Sequence, residues 1–280
     1  MRTITKLIIP AAGIGSRFLP ITKSIPKEML PLSNKPAIEC IVQEGVDAGI
    51  TNMLIILSPE KNIIIEYFSR NLHLEQILAE QNKSHYLTEL NNLIAKTKFQ
   101  YFTQNKPQGV ANALLHTKSA ISADEYFALS YPDDIIFGIH PEIGNLARMA
   151  QQHQAMIIGV IEVQLEQISA YGVIAPKGQI SQNLFEIDYL IEKPKKEQAP
   201  SNLAIVGRFI LHSDLFSYIP QTSPNPQGEI LLPDTINLMI SKGYKVLAYK
   251  IQGQRFDIGT PAGWLDFVIK HQAGKQQIID

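Results

Sequence analysis

The stretch Leu7-Ile8-Ile9-Pro10-Ala11-Ala12-Gly13-Ile14-Gly15-Ser16-Arg17, followed by Pro26-Lys27-Glu28-Met29-Leu30-Pro31, decides how the rest of the chain is read. Leu7-Ile8-Ile9 is a short apolar run of the kind that is buried as a strand. The glycines after it let backbone approach a ligand closely, so successive N–H groups can meet a phosphate chain at the N-terminus of a helix. Arg17 and Lys27 add two cations beside the same phosphates. Two other glycine turns fit less well. A dinucleotide-binding turn needs a third glycine where Phe18 stands, although Glu39 lies in the range of its acidic partner. A P-loop needs Gly-Lys-Ser/Thr, which this segment lacks. The pattern points to an enzyme that handles a nucleoside triphosphate.

Strand and helix signals alternate outward from this stretch. Residues 52–57 form a continuous apolar run, as expected of a parallel strand buried on both faces. Helical spacing occupies 37–48, stopped by Gly49, and recurs over 61–68 and 110–120; residues 99–102 and 126–130 read as further strands. This βαβ rhythm argues for a doubly wound, mainly parallel sheet. The polar helical segment 71–98 is either an insertion covering the sheet or a contact between subunits. Beyond residue 155 the chain becomes strand-rich, over 156–163, 172–175, 185–191, 204–211 and 246–250. No repeat, low-complexity tract or linker interrupts it, so one domain is expected, its first half binding nucleotide and its second completing the cleft.

An apolar fraction of 45% and a charged fraction of 18% over 280 residues fit an ordinary globular protein. A formal net charge of −1 offers no bulk attraction for nucleic acid, so an anionic ligand must be held by local cations. The single cysteine, Cys40, excludes an internal disulfide and is expected to face the core. No apolar stretch approaches the roughly eighteen residues of a membrane span. Pro10 and the glycines break the N-terminal apolar run, which argues against a signal peptide and for a cytoplasmic protein.

Tyr131-Pro132-Asp133-Asp134 follows a strand, at the carboxyl end where such sheets bind ligands. A triphosphate arrives with Mg²⁺, which takes one or two carboxylates plus phosphate oxygens and water; the same aspartates could instead cap a turn. Phe256-Asp257-Ile258-Gly259-Thr260 places a further carboxylate before a glycine turn, with the same two readings. In Glu192-Lys193-Pro194, proline biases Lys193 toward an extended conformation. A lysine there meets a phosphate monoester as a point charge, or is solvated with its neighbours Lys195 and Lys196. Gln104 opens a loop that enters a helix; its amide both donates and accepts, which suits the edge of uracil or thymine, or simply faces solvent. The seven histidines show no metal spacing, and no Ser-His-Asp or Cys-His arrangement offers a nucleophile.

Taken in order, residues 11–17, 26–31, 104–113, 131–134, Ala170-Tyr171-Gly172-Val173, 192–194, 201–208 and Gly228-Glu229-Ile230 resemble the sugar-1-phosphate nucleotidyltransferase family over nearly the whole chain. Residues 27–31 and 202–208 resemble its uridylyl branch, while Asp257-Ile258-Gly259-Thr260 resembles the thymidylyl and guanylyl branches. The resemblance implies a single α/β, Rossmann-like nucleotidyltransferase domain over 1–280, with a mixed, mainly parallel central sheet flanked by helices. Its nucleotide-binding half would be 1–140 and its sugar-phosphate-binding half 141–280. The implied reaction is transfer of UMP from UTP to glucose 1-phosphate, giving UDP-glucose and pyrophosphate.

The same resemblance distributes roles. Ala11, Ala12, Gly13, Gly15 and Ser16 would cradle the phosphates with Arg17, and Lys27 would neutralise the α-phosphate. Asp133 and Asp257 would hold Mg²⁺, with Asp134 as the fallback. Gln104 and Gly109 would read the uracil; Tyr171, Gly172, Glu192, Lys193 and Glu229 would take the sugar phosphate. A homodimer or homotetramer is implied, with neither nucleic acid nor membrane as partner. Transfer from dTTP is the near alternative. A non-catalytic nucleotide-sugar-binding protein is the other, and it predicts loss of charged residues that this chain retains.

Overall fold

The computed structural model describes residues 3–106 and 108–276. The chain opens with strand β1 (Lys6–Pro10), in which Leu7 and Ile9 enter one apolar cluster and Ile8 another. That division follows from the period of two along a strand: both faces of this strand are covered, so consecutive residues are all apolar. Three short 3₁₀ turns follow, Ser16–Phe18, Ile21–Lys23 and Lys27–Met29, then a hairpin of β2 (Pro31–Leu32) and β3 (Lys35–Pro36). The first α-helix is α1 (Ala37–Asp47). Gly49, at φ 79°, ends it: its N–H donates to Val46 O, and Ile50 N–H donates to Gly45 O, a Schellman stop that needs the left-handed glycine.

Strand β4 (Asn52–Leu57) leads through α2 (Asn62–Tyr67), α3 (Leu72–Glu80) and α4 (His85–Lys96) to β5 (Lys98–Thr103). The helix α5 (Val110–Leu115) then carries the chain to β6 (Tyr126–Ser130). The pair α3 and α4 is the expected helical insertion, but it covers little: α3 buries no residue and α4 buries only Leu93. Leu72 and Tyr86 on it are each 69% exposed.

The second half contains β7 (Asp134–Phe137), α6 (Glu142–His153), β8 (Met156–Glu162), β9 (Gly172–Ser181), β10 (Leu184–Glu192) and β11 (Leu203–His212). It ends with α7 (Leu215–Tyr218), α8 (Leu232–Ser241), β12 (Val246–Lys250), β13 (Gln254–Asp257) and α9 (Pro261–Gln276). Nine strands form one sheet in the order β5-β4-β1-β6-β11-β8-β12-β10-β9. The expectation of a mainly parallel sheet is corrected here. β5, β4, β1 and β6 run parallel, as do β8 and β12, but every junction of β11 and β10 is antiparallel. For β9 and β10 the reason is local: they are joined by two residues, a hairpin, and a hairpin can only pair antiparallel. β9 also returns to β11 through Ala204 and Val173, closing β11, β8, β12, β10 and β9 into a five-stranded ring. The fold is therefore an α/β layer around a mixed sheet, open along β5, β4, β1 and β6 and closed on the other side.

A buried ion pair ties the sheet to the first helix. Arg208, on β11, has a fully buried side chain and donates from Nη2 and Nε to Glu44 Oε2 at 2.7 and 3.0 Å, tying the sheet to α1. Cys40, on the same helix, is partly buried against the core, and burial pushes its thiol up to about 11, where it is inert. Among the described residues no helix is long and apolar enough to cross a membrane.

Candidate active site

The loop after β1 begins as a continuation of the ladder, Ala11 N–H donating to Ile56 O at 2.8 Å. It then turns at Gly15, at φ 71°, where a Cβ would stand 3.0 Å from Thr22 Cγ2. The sequence suggests that the loop feeds a helix N-terminus. Instead it feeds the 3₁₀ turn Ser16–Phe18, because Pro20 and Pro26 break the following twelve residues into single turns. An anion at this loop would meet individual N–H groups and side-chain cations, not a helix dipole.

Lys27, in the third of those turns, forms an ion pair with Asp133 at the end of β6. Burial alone would push the Asp133 carboxyl up, but the Lys27 ammonium, with Arg17 behind it, holds it below the usual carboxylate range. The reciprocal holds: burial would lower Lys27, and Asp133 and Glu28 keep it above its ordinary value. Asp133 O accepts Ile258 N–H at 2.9 Å, which seats the end of β13 beside it. A Cβ on Gly259 would be 3.1 Å from Asp133 Oδ2 and 3.1 Å from Asp257 Oδ1, so the two oxygens lie within twice that distance of each other. Two converging carboxylates beside a missing Cβ, with phosphate oxygens to complete the shell, suit a hard divalent cation such as Mg²⁺. Among the described residues no group of three or more His, Cys, Asp or Glu could hold a metal.

Asp134 is differently employed. Its Oδ1 accepts Arg255 Nε at 2.6 Å and its Oδ2 accepts Gly207 N–H at 2.7 Å, so both oxygens are occupied in joining β7 to β11 and β13. Arg255 also lies 5.1 Å over the Tyr171 ring and 3.5 Å from Asp257 Oδ2. It borders the cleft, and sequence reading missed it because its partners lie 121 and 84 residues away.

On the base side Gln104 is buried, 6% exposed, and its amide nitrogen has no hydrogen-bond partner. A buried, unpaired donor is costly without a ligand to accept from it. Gly109 has φ 89°, and a Cβ there would be 2.5 Å from Ile230 O. The adjoining Ile230 N–H donates to Gln108 O at 3.0 Å, so this glycine brings Glu229 to the nucleotide loop. Gly109→Ala is therefore expected to raise KM for the nucleotide about tenfold or more, since the backbone must shift; steady-state kinetics on the purified variant checks it.

On the far wall Gly172 pairs with Glu192 across β9 and β10, and a Cβ on Gly172 would be 3.0 Å from Glu192 Oε2. Burial raises the Glu192 carboxyl above its ordinary range, with Lys193 opposing at 3.6 Å. Lys193 itself is not extended, as the following proline suggests, but lies at φ 45°. Its N–H donates to Tyr171 O at 3.0 Å, and this bond holds the left-handed residue in place against a cost of about 1 kcal/mol.

These groups surround one cleft of about 520 Å³, within the range of small-molecule sites. Ala12, Gly13, Arg17, Lys27, Gln104, Gly109, Asp133, Tyr171, Gly172, Glu192, Lys193, Glu229 and Asp257 all line it. Ala11, Gly15 and Ser16 lie in the loop behind and do not. The profile of the Nucleotidyl transferase family matches residues 6–272. The chain belongs to that family.

Among nucleotidyl transferases, the UTP–glucose-1-phosphate uridylyltransferase of Mycoplasma pneumoniae is 39% identical, over 95% of this chain and 91% of its own. A UTP-bound UDP-glucose pyrophosphorylase from Acinetobacter baumannii superposes with a TM-score of 0.89 at 32% identity, over 99% of each chain. A UDP-glucose pyrophosphorylase complexed with UDP-glucose gives 0.88 at 34% identity, over 97% of this chain and 99% of that one.

Proposed function

We propose that this nucleotidyl transferase moves UMP from UTP to α-D-glucose 1-phosphate, releasing pyrophosphate and UDP-glucose. The observation that carries the reading is the convergence of Arg17, Lys27, Asp133, Asp257 and the unpaired Gln104 amide on one cleft. A phosphate oxygen of the sugar phosphate attacks the α-phosphorus in line; a new P–O bond forms, the α–β bridge breaks, and the electron pair leaves on pyrophosphate. The attacking oxygen is already an anion, so no general base is required, and among the described residues no histidine or cysteine lines the cleft. Catalysis then rests on positioning and charge neutralisation.

Arg17 and the N–H groups of the glycine loop hold the β- and γ-phosphates, and Lys27 neutralises the α-phosphate oxygens. Gln104 and Gly109 take the uracil edge; Lys193 takes the sugar phosphate, and Tyr171, Gly172, Glu192 and Glu229 the sugar. Asp133 and Asp257 would hold Mg²⁺, which when bound screens the repulsion between the two reacting anions. Asp257→Asn is expected to raise the Mg²⁺ concentration needed for half-maximal rate about tenfold or more; an unchanged Mg²⁺ titration would make Asp257 a turn residue. Residues 1–140 serve the nucleotide and 141–280 the sugar phosphate, in a cytoplasmic homodimer or homotetramer that light scattering would register.

Pyrophosphate release with glucose 1-phosphate and Mg²⁺, compared across UTP, dTTP, CTP, ATP and GTP, tests the assignment. Preference for UTP supports it. Preference for dTTP would move the chain to thymidylyl transfer, which the segment Asp257-Ile258-Gly259-Thr260 favours; the two bases differ by one methyl, worth about 1–3 kcal/mol at most. Tight UTP binding with no turnover would make it a nucleotide-sugar-binding protein.

A further inference from the structure

Behind the glycine loop, on the side away from the cleft, lies a buried lysine. Lys61, 6% exposed, stands just before α2 and uses all three of its donors: Ala11 O at 2.6 Å, Gly13 O at 2.7 Å and Glu28 Oε2 at 2.8 Å. Ala12, Gly13 and Glu28 line the cleft and Lys61 does not. Leu19-Pro20 is the one cis peptide bond among the described residues, so the peptide units of this loop are trans. In a trans unit the carbonyl of one residue and the N–H of the next point in opposite directions. Carbonyls 11 and 13 turned back onto the ammonium therefore turn the N–H groups of Ala12 and Ile14 forward. The third bond reaches Glu28, whose neighbour in sequence is Lys27.

We propose that Lys61 is a positioning residue for the triphosphate, holding two loop peptides with their N–H groups presented to the β- and γ-phosphates and, through Glu28, setting the turn that carries Lys27. The proposal rests on the nucleotide-transfer reading above and adds to it a residue that never meets the substrate. A carbonyl pair in a glycine-containing loop has little else to fix its orientation, since Gly13 has no side chain and a Cβ there would touch nothing within 4 Å. An ammonium that bonds both carbonyls removes the alternative in which the peptide planes flip and offer oxygen to an anion. Burial lowers the Lys61 ammonium from its ordinary value, and the Glu28 carboxylate opposes that fall, so the pair keeps its charge only as a pair.

Lys61→Met alone would leave Glu28 buried without its cation, so the informative variant is Lys61→Met/Glu28→Gln, in which both charges are removed together. Calorimetric titration of Mg²⁺-pyrophosphate and Mg²⁺-UTP into the full-length protein and this variant reads the loop without turnover. The expected result is a Kd for both ligands weakened about tenfold or more, while KM for glucose 1-phosphate stays within about twofold. The melting temperature stays within about 5 °C. Unchanged affinity for both phosphates would overturn the proposal. So would a parallel loss of glucose 1-phosphate, nucleotide and melting temperature, which would make Lys61 purely structural. If the unmutated chain binds UTP but releases no pyrophosphate, the transfer reading fails while the comparison of affinities still decides the role of Lys61.

Discussion

Lys27→Ala lowers kcat by about a hundredfold or more, the scale set by loss of one preorganised charge contact to a transition state. The argument is geometric: the ammonium sits on Asp133, beside Gly259 and Asp257, where the loop after β1 meets the end of β6. Under the transfer proposed above, a charge at that point would face the α-phosphorus as it gains a fifth oxygen, and KM for UTP is expected to change far less than kcat. The pH dependence moves as well. Asp133 has its carboxyl depressed in the folded chain, so its contribution to stability is present above the unfolded value, near 3.9, and is lost as pH falls through the folded one. In Lys27→Ala the burial is opposed only by a backbone hydrogen bond and Arg17, the carboxyl rises, and the acid limb of the rate profile is expected to shift to higher pH. A pH–rate series on the variant checks both effects; wild-type kcat would remove Lys27 from the chemistry.

Glu44→Ala is expected to be the most destabilising of the substitutions considered, by about 3–5 kcal/mol. Arg208 is wholly enclosed, with Nη1 on Gly207 O at 2.9 Å and the rest of its guanidinium on Glu44. Removing the carboxylate strands a buried cation, and a chain of this size then loses about 10 °C in melting temperature. Thermal unfolding followed by circular dichroism measures it, and a loss under about 1 kcal/mol would show that water reaches the guanidinium and that the pair is ornamental. The double variant Glu44→Leu/Arg208→Met should recover most of the loss, because it removes the charges with their desolvation cost.

The parallel half of the sheet was legible because its strands are covered on both faces. Leu7-Ile8-Ile9 and the run 53–57 are apolar at every position, a signal that needs no neighbour to interpret. The stop at Gly49 was legible for a similarly local reason. The small sheet of β7 and β13 was not: each strand has four residues, and β13 is open to solvent at both ends. The antiparallel ring was hidden because strand runs carry no mark of direction; the two-residue turn at 182–183 sets it for β9 and β10, and the other junctions join strands distant in sequence.

In the site, motifs that stand directly after strands could be placed, since the strand end fixes where the loop goes. Arg208, Arg255 and Lys61 could not. Each is a charged residue whose partner is distant in sequence, 164 positions for Glu44 and 121 for Asp134, and no spacing rule connects them. Lys193 was misread in its backbone because the proline rule treats one peptide alone, while the hydrogen bond to Tyr171 O acts from another strand.

The strand β11 pairs with β6, β8 and β9, and among the described residues its pairing with β6 joins the open half of the sheet to the ring. On the ribosome this strand is made late. Until residues 203–212 have emerged, β6 is a bare border with unpaired N–H and C=O groups, and β8 and β9 have no common partner. The nascent chain therefore carries the glycine loop, Lys27, Asp133 and the β9–β10 wall before it carries the beam that joins them. A chain truncated ahead of residue 203 would keep the glycine loop and Lys27 yet have no enclosed site, and its open β6 edge would be a place for other chains to dock.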